Sequence, residues 1–518
     1  MDLGTLFEFT VKRFPDKIAI TQDNIRLSYK EMNKQINRLA YSLQKKGIEK
    51  GDRVVIILKN RLEMVTFYWA IQKIGAIFTP INFRLSTEEV AYCVNNADAK
   101  AIIYEPSSQD AALDGEYTNK PLLIGVLGAT GSDVTYEELL DHEQENFHRP
   151  TIQFDDTCLM LYTSGTTGKP KGVPRSHKNE YGAAIAHIIQ NQYVLHESTL
   201  GVMPLYHTMG MRSLLSMAFL NGKLVMIPDN ETIKMLTTME EEAISCVYLV
   251  PTIIHDLLNH KDFSKFNLQK LRKIGYAGAS MTTELTKACY QKLKPDVFVN
   301  HYGSTEVYTF SICDYLDKKP GCAGKPGLHQ ELRVVTPDPE GYSTPDDLVP
   351  QGTPGEIIVN IDSIEAFKGY WKRPDANKKA IRNGWYFTGD MGVLDEDGDL
   401  YVVGRVDDMI ISGGENIHPL EVEDVLASHP EVLEVAVVGV PDDRYGEKVV
   451  AFVVDRNGKL SVEELDQYCK VSESLANFKR PREYYFVPEI PKSPVGKILR
   501  RKLKENYKTY SIKEESVS

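Results

Sequence analysis

Eleven consecutive residues constrain this chain more than any other stretch: Tyr162-Thr163-Ser164-Gly165-Thr166-Thr167-Gly168-Lys169-Pro170-Lys171-Gly172. They gather three glycines, four small hydroxyls and two lysines behind Thr157-Cys158-Leu159-Met160-Leu161, an apolar run that reads as a buried strand. Glycines let backbone N–H groups approach a ligand, hydroxyls donate to phosphate oxygens, and lysines neutralise their charge. The combination suits a nucleoside triphosphate. It is not the P-loop pattern: Gly165 and Gly168 stand too close together, and Pro170 follows Lys169 where that pattern needs Ser or Thr. A flexible linker is the alternative, but hydroxyl, glycine and lysine alternate too densely behind a buried strand for it to be favoured.

At 518 residues the chain exceeds what one hydrophobic core usually serves, which predicts two or more domains. A formal charge of −12 argues against general nucleic-acid binding. Seven dispersed cysteines without a C-x-x-C pair predict reduced thiols rather than a disulfide framework or a metal cluster. Met1 to Ala19 mixes charges among apolar residues, with neither a signal-peptide core nor a span-length apolar run. The expectation is a soluble cytoplasmic protein without a membrane span or a nucleic-acid partner.

Residues 1–150 alternate helix and strand patterns. Leu3, Leu6, Phe7 and Val11 form a helical stripe, Val54 to Leu58 a buried strand, and Arg61 to Lys73 a helix. Ser86 with Glu89 makes a capping box, and Ala101 to Tyr104 and Leu122 to Leu127 read as further strands. Such alternation implies a layered, largely parallel α/β architecture. Beyond about residue 408 the texture changes. Pro419 can open a helix, Val432 to Val440 and Val449 to Val454 read as strands, and Val462 to Cys469 as a helix. That is a module of roughly 110 residues, within the usual domain range.

Further segments carry candidate site residues. Met203-Pro204-Leu205-Tyr206-His207-Thr208-Met209-Gly210 places one His among apolar residues, by itself no more than a packed histidine. In Tyr276-Ala277-Gly278-Ala279-Ser280, small residues let the backbone approach a flat ring. Asn300-His301-Tyr302-Gly303-Ser304-Thr305-Glu306 offers an aromatic for stacking, Thr305 as a phosphate donor and Glu306 as a hard oxygen ligand for Mg²⁺; a polar turn after a strand at Val297 to Asn300 is the alternative. Thr388-Gly389-Asp390 ends in a carboxylate able to accept both ribose hydroxyls. The turn Asp395 to Asp399 precedes a returning strand, Leu400 to Val403, and the run Gly404 to Ile417. Two basic clusters follow, Phe478 to Arg482 and Pro491 to Leu503.

Taken in order, these segments closely resemble the adenylate-forming superfamily of acyl- and aryl-CoA ligases, peptide-synthetase adenylation domains and luciferases. The resemblance runs from about residue 5 to residue 504 and is nearest to benzoate, halobenzoate and fatty-acid CoA ligases. It implies a large multi-layer α/β N-terminal domain, residues 1–406, and a small mobile α+β cap, residues 407–518, hinged at Asp407. The implied reaction joins a carboxylic acid to AMP at the expense of MgATP, then passes the acyl group to CoA. The same resemblance implies roles. Lys497 carries adenylation, with His207, Glu306 and Arg405 as further catalytic residues. Thr163, Ser164, Gly165, Thr166, Thr167, Gly168, Lys169, Lys171, Gly278, Ala279, Ser280, His301, Tyr302, Gly303, Ser304, Thr305, Asp390 and Arg405 bind ATP or AMP.

Met203, His207, Met209, Gly278 and Tyr302 are expected to border the acid, and Glu306 with Thr163 to hold the metal. Arg84, Arg480 and Arg482 are expected at the CoA phosphates, Gly413 and Gly414 along the pantetheine arm, and Tyr445 and Phe478 against its adenine. Tyr181-Gly182-Ala183-Ala184-Ile185-Ala186-His187 has small residues where an aromatic wall would stand, which suggests room for a medium or long aliphatic chain. Two other readings stay open: a stand-alone adenylation enzyme loading a carrier protein, and a non-catalytic nucleotide binder. The expected partners are small molecules, with the chain acting as a monomer or homodimer.

Overall fold

The computed structural model describes residues 1–163, 169–337, 343–472, 474–492 and 498–510. The strand–helix alternation of the first half folds into two sheets facing a shared helical layer. One is seven-stranded, in the order Val134–Thr135, Leu122–Gly125, Ala101–Tyr104, Arg53–Ile57, Ile77–Pro80, Thr157–Thr163, Lys171–Ser176. It is parallel except for its last pair, in which Thr163 lies opposite Lys171. The other is nine-stranded and parallel through its middle, where Ser198–Gly201, Cys246–Leu249, Lys273–Ala277 and Val297–Tyr302 lie side by side.

Helices Tyr29–Lys45, Leu62–Ile74 and Thr208–Phe219 fill the space between them, and their apolar faces join Val54 and Ile56 to Ile20, Leu224 and Met226 in one core. Every residue of Leu62–Ile74 except Glu63 is buried, as a helix covered on all sides requires. Ser28 with Glu31, and Ser86 with Glu89, form the reciprocal capping boxes that start helices Tyr29–Lys45 and Thr87–Ala97.

A third, antiparallel sheet holds Leu332–Val335, Gly355–Asn360, Ile381–Arg382, Trp385–Leu394 and Leu400–Arg405. Its acidic turn is closed by Lys319, whose Nζ lies 2.7, 2.6 and 2.5 Å from Asp395, Asp397 and Asp399. A 3-10 turn, Val406–Asp408, follows, with Asp407 exposed. The small C-terminal domain is built on Gly446–Asp455, flanked by Val432–Asp442, Ile410–Ser412 and Glu483–Phe486. Strand alternation gives it a core on each face. Val437, Val449 and Ala451 pack with Leu426 and Leu465 on one side; Val438, Val450 and Phe452 pack with Leu503 on the other. All seven cysteines are buried free thiols. Among the described residues no helix is long and apolar enough to cross a membrane.

Candidate active site

The last pair of the seven-stranded sheet presents the glycine-rich segment. Ser164, Gly165, Thr166, Thr167 and Gly168 lie outside the described residues; what frames them is the Thr163–Lys171 pair. The Thr163 hydroxyl oxygen is buried with no hydrogen-bond partner among the described residues. Lys171 sits 4.2 Å over the Tyr370 ring, and Lys169, more exposed, 5.3 Å over Tyr92. Burial lowers the Lys171 pKa; Glu306 opposes that shift, while Arg373, Arg405 and Lys379 add to it. A cation held beside other cations and one carboxylate is arranged for an anion.

Glu306 is buried, and one carboxylate oxygen accepts the Tyr370 hydroxyl at 2.7 Å. Burial, and then the Glu306 charge, push the Tyr370 pKa far up, so its hydroxyl stays a donor. The turn before Glu306 is tight: a side chain on Gly303 would come within 2.0 Å of the Tyr308 carbonyl. Below it lies Arg175, fully buried and paired with Glu180 at 2.9 Å. Its Nη1 donates to the carbonyls of Glu306 at 3.1 Å and Glu365 at 2.7 Å, and its guanidinium stacks 3.7 Å over Tyr308. Ser304 and Thr305, half-buried, complete the turn.

Asp390 and Arg405 lie opposite each other in the third sheet and form an ion pair of 2.6 Å. The other Asp390 oxygen accepts the Tyr302 hydroxyl at 2.6 Å, which burial and Asp390 keep protonated. Each oxygen keeps a lone pair for a further donor.

Met203 and Met209 are buried and His207 is half-buried. The His207 Nδ1 caps helix Thr208–Phe219 by accepting from the Met209 N–H at 3.4 Å, so the neutral ring carries its proton on Nε2. Asn60 pins the segment: its amide donates to the carbonyls of Gly201 and Met203 and accepts from the Leu205 N–H at 2.9 Å. Gly278 (φ +89°) has Val250 and Met209 as neighbours, whereas Ala279 and Ser280 are exposed. Of the small residues of helix His177–Gln190, Gly182, Ala183 and Ala184 are already covered by neighbours. A methyl on Gly182 would lie 2.7 Å from Ile364, and Ala183 and Ala184 pack into the main core.

Two expected placements are corrected. Strand Val297–Tyr302 extends past Asn300, so alternation sends His301 to the face opposite Tyr302; its Nε2 lies 3.0 Å from the Asn191 amide nitrogen. Arg480 is buried and its guanidinium is paired with Asp466, so its charge is neutralised inside the small domain instead of facing a phosphate. Arg482 is half-buried, Arg84 is exposed with its guanidinium 4.7 Å over Phe83, and Phe478 is exposed. Gly413 and Gly414 form the two-residue turn between Ile410–Ser412 and Glu415–Ile417, both with positive φ, and the Gly413 N–H donates to the Tyr445 carbonyl at 2.8 Å. Lys497 lies outside the described residues.

Arg175, Tyr370 and Asn60 were not foreseen. A charge inside a buried strand, five residues before Glu180, is a usable signal for Arg175. Tyr370 and Asn60 carry no local signal, because their partners are distant in sequence.

The chain matches the family model described as AMP-binding enzyme over residues 7–371, and AMP-binding enzyme C-terminal domain over residues 421–497. It is 30% identical over 496 residues to a 2-succinylbenzoate–CoA ligase of Bacillus cereus, covering 95% of this chain and 96% of that one. It is 31% identical over 489 residues to the long-chain-fatty-acid–CoA ligase FadD13 of Mycobacterium tuberculosis, covering 93% and 94%. Its fold superposes with a TM-score of 0.83, at 28% identity and covering 96% and 99%, on an o-succinylbenzoate CoA synthetase of Bacillus subtilis solved with ATP and magnesium. The residue pattern, the layered fold with its small C-terminal domain, and these similarities agree: the chain belongs to the AMP-binding enzyme family.

Proposed function

We propose that this protein is an AMP-forming carboxylic acid–CoA ligase. The observation that carries the reading is the convergence of Lys171, the Tyr370–Glu306 pair and the Tyr302–Asp390–Arg405 triad, groups brought together from three sheets. Relatives along nearly the full length of the chain are CoA ligases, and one related structure holds ATP with magnesium.

The donor set fits Mg²⁺: an orphaned buried hydroxyl on Thr163 and the second carboxylate oxygen of Glu306 are hard ligands. When bound, the ion neutralises phosphate charge. Lys171, with Lys169 and the residues 164–168, cradles the phosphates; Asp390 accepts the ribose hydroxyls while Arg405 holds that carboxylate in place. Met203, His207, Met209 and Gly278 seat the acid so that its carboxylate oxygen attacks the α-phosphorus and pyrophosphate leaves. Fixing this geometry and neutralising its charge supply most of the acceleration. Lys497 is assigned to the charge between carboxylate and α-phosphate. The small domain then turns about Asp407, and the CoA sulfur attacks the acyl carbon, releasing AMP and the thiol proton. Arg84 and Arg482 are the remaining candidates for the CoA phosphates, with Gly413, Gly414, Tyr445 and Phe478 along its arm.

A panel of carboxylic acids assayed for pyrophosphate release, with CoA or with a holo carrier protein, tests this. Acid-dependent pyrophosphate and AMP with acyl-CoA as product is the expected result. Acyl transfer to the carrier alone would replace the CoA assignment, and pyrophosphate release from no acid would refute it.

A further inference from the structure

Strand Val297–Tyr302 separates two chemistries. Tyr302 faces Asp390, while His301 turns into a buried polar array on the other side. The rings of His187, Tyr248 and His301 meet there with centroids 4.5, 5.1 and 5.3 Å apart. The Asn191 amide nitrogen lies 2.8 Å from the His187 carbonyl, 3.1 Å from its Nδ1 and 3.0 Å from His301 Nε2. Arg212 donates to the Tyr248 hydroxyl at 3.1 Å and to Thr309 at 2.6 Å, with Glu365 3.6 Å away. The fold makes room for this: a side chain on Gly275 would lie 2.7 Å from the Asn191 oxygen and 2.9 Å from the Tyr248 ring.

All these groups are at least 97% buried, yet the array is not satisfied. His187 Nε2, His301 Nδ1 and Arg212 Nε have no hydrogen-bond partner among the described residues. The unmet capacity has a definite sign. Burial pushes both imidazoles well below their usual range, so they are neutral. His187 Nδ1 faces an amide N–H and therefore accepts, which leaves the ring proton on Nε2. Arg212 Nε always carries hydrogen. Two buried donors thus lack an acceptor, a costly arrangement for a purely structural network.

The array adjoins the acid seat proposed above. Arg212 is three residues beyond Met209 on one helix, and Ala277, in register with His301, immediately precedes Gly278. We infer that His187 and Arg212 form the far wall of that seat, and that the acid carries a second oxygen acceptor, a ketone or carboxylate, where they wait. The two residues then act as specificity determinants that select against acids ending in bare hydrocarbon. This rests on the acid-activating reading.

The test compares matched acids by acid-dependent pyrophosphate release: the ortho-, meta- and para-acetylbenzoates against the ethylbenzoates, levulinate against pentanoate, and adipate against hexanoate. The best oxygen-bearing acid should exceed its hydrocarbon counterpart in kcat/KM by about tenfold to a hundredfold, the range expected for satisfying one or two buried donors. His187→Leu should collapse that ratio toward unity, and His187→Gln, which keeps a donor, should restore part of it. Equal or better use of the hydrocarbon members by the unaltered protein overturns the inference, as does a ratio unchanged in folded His187→Leu. Pyrophosphate release with no acid in either set refutes acid activation itself and takes the inference with it.

Discussion

Arg175→Met tests whether the buried charge beneath the Glu306 turn positions the site or merely fills space. The substitution keeps much of the side-chain volume but strands Glu180, which is fully buried and otherwise has the Tyr308 hydroxyl at 3.2 Å. Removing one partner of a buried ion pair costs about 3–5 kcal/mol, because an unpaired carboxylate stays out of water. The Glu365 carbonyl loses its 2.7 Å donor, while the Glu306 carbonyl keeps the Phe367 N–H at 2.8 Å. Charge-assisted bonds of this type contribute about 1.5–3 kcal/mol each, so the turn carrying Glu306 is loosened as well as the core.

The double variant Arg175→Met/Glu180→Leu separates the two effects. Replacing a whole buried pair by apolar groups is often close to neutral, so most of the stability should return. The donors to the Glu306 and Glu365 carbonyls do not return. Urea denaturation should therefore show a large loss in the single variant and a small one in the double. ATP–pyrophosphate exchange should stay depressed in both, by about a hundredfold if the turn shifts by an ångström. Recovery of exchange together with stability would reduce Arg175 to a packing residue, and unchanged stability in the single variant would refute the buried-pair argument altogether.

Asp407→Pro, by fixing φ at the proposed hinge, should form acyl-AMP and stall before thioester formation, whereas Lys497→Ala should lose adenylation by two to three decades on the order of a removed oxyanion donor yet convert supplied acyl-AMP normally; equal impairment of both half-reactions in either variant rules out the division of labour. His177 is buried, accepts the Leu3 N–H at 3.2 Å, and is lowered by burial from the usual 6.5 to about 4. Its folded pKa is depressed and its neutral form is the stable one, so its contribution is complete above pH 6.5, declines as pH falls, and is lost below pH 4. That is about 3 kcal/mol in all, and His177→Gln should flatten denaturation midpoints measured across the interval.

The elements were legible where one local rule decided them. The stripe Leu3–Leu6–Phe7–Val11, the capping box Ser86–Glu89 and proline at the start of Pro419–Ala427 each depend on residues within a few positions. The candidates Glu306, Asp390 and Lys171 were legible because each stands in a short run whose residue types suit a nucleotide. Their supports were not, because Tyr370 reaches Glu306 across 64 positions and Asn60 reaches Met203 across 143. His301 shows the finer failure. Ending the strand at Asn300 left it in a turn beside Tyr302, while two more paired residues put it on the opposite face. For the small residues Gly182 to Ala184, composition suggested space, but packing against Ile364 and the main core had already filled it.

That alternation has a consequence for how such a site can vary. Tyr302 and His301 are neighbours in one strand, so the backbone that fixes the Tyr302–Asp390 contact also fixes the array behind it. The side chains do not share partners: Tyr302 bonds Asp390, and His301 meets Asn191, His187 and Tyr248. Changes on the His301 side can therefore alter which acid is accepted while leaving the Asp390–Arg405 pair untouched, provided Gly275 keeps the space that Asn191 and Tyr248 occupy. A change at Gly275 would act differently. Its added carbon would press on both at once, displacing the array together with strand Lys273–Ala277, and through that strand the Gly278 turn. In the proposed acid seat, selectivity and seating are separable at His187 and His301 but coupled at Gly275.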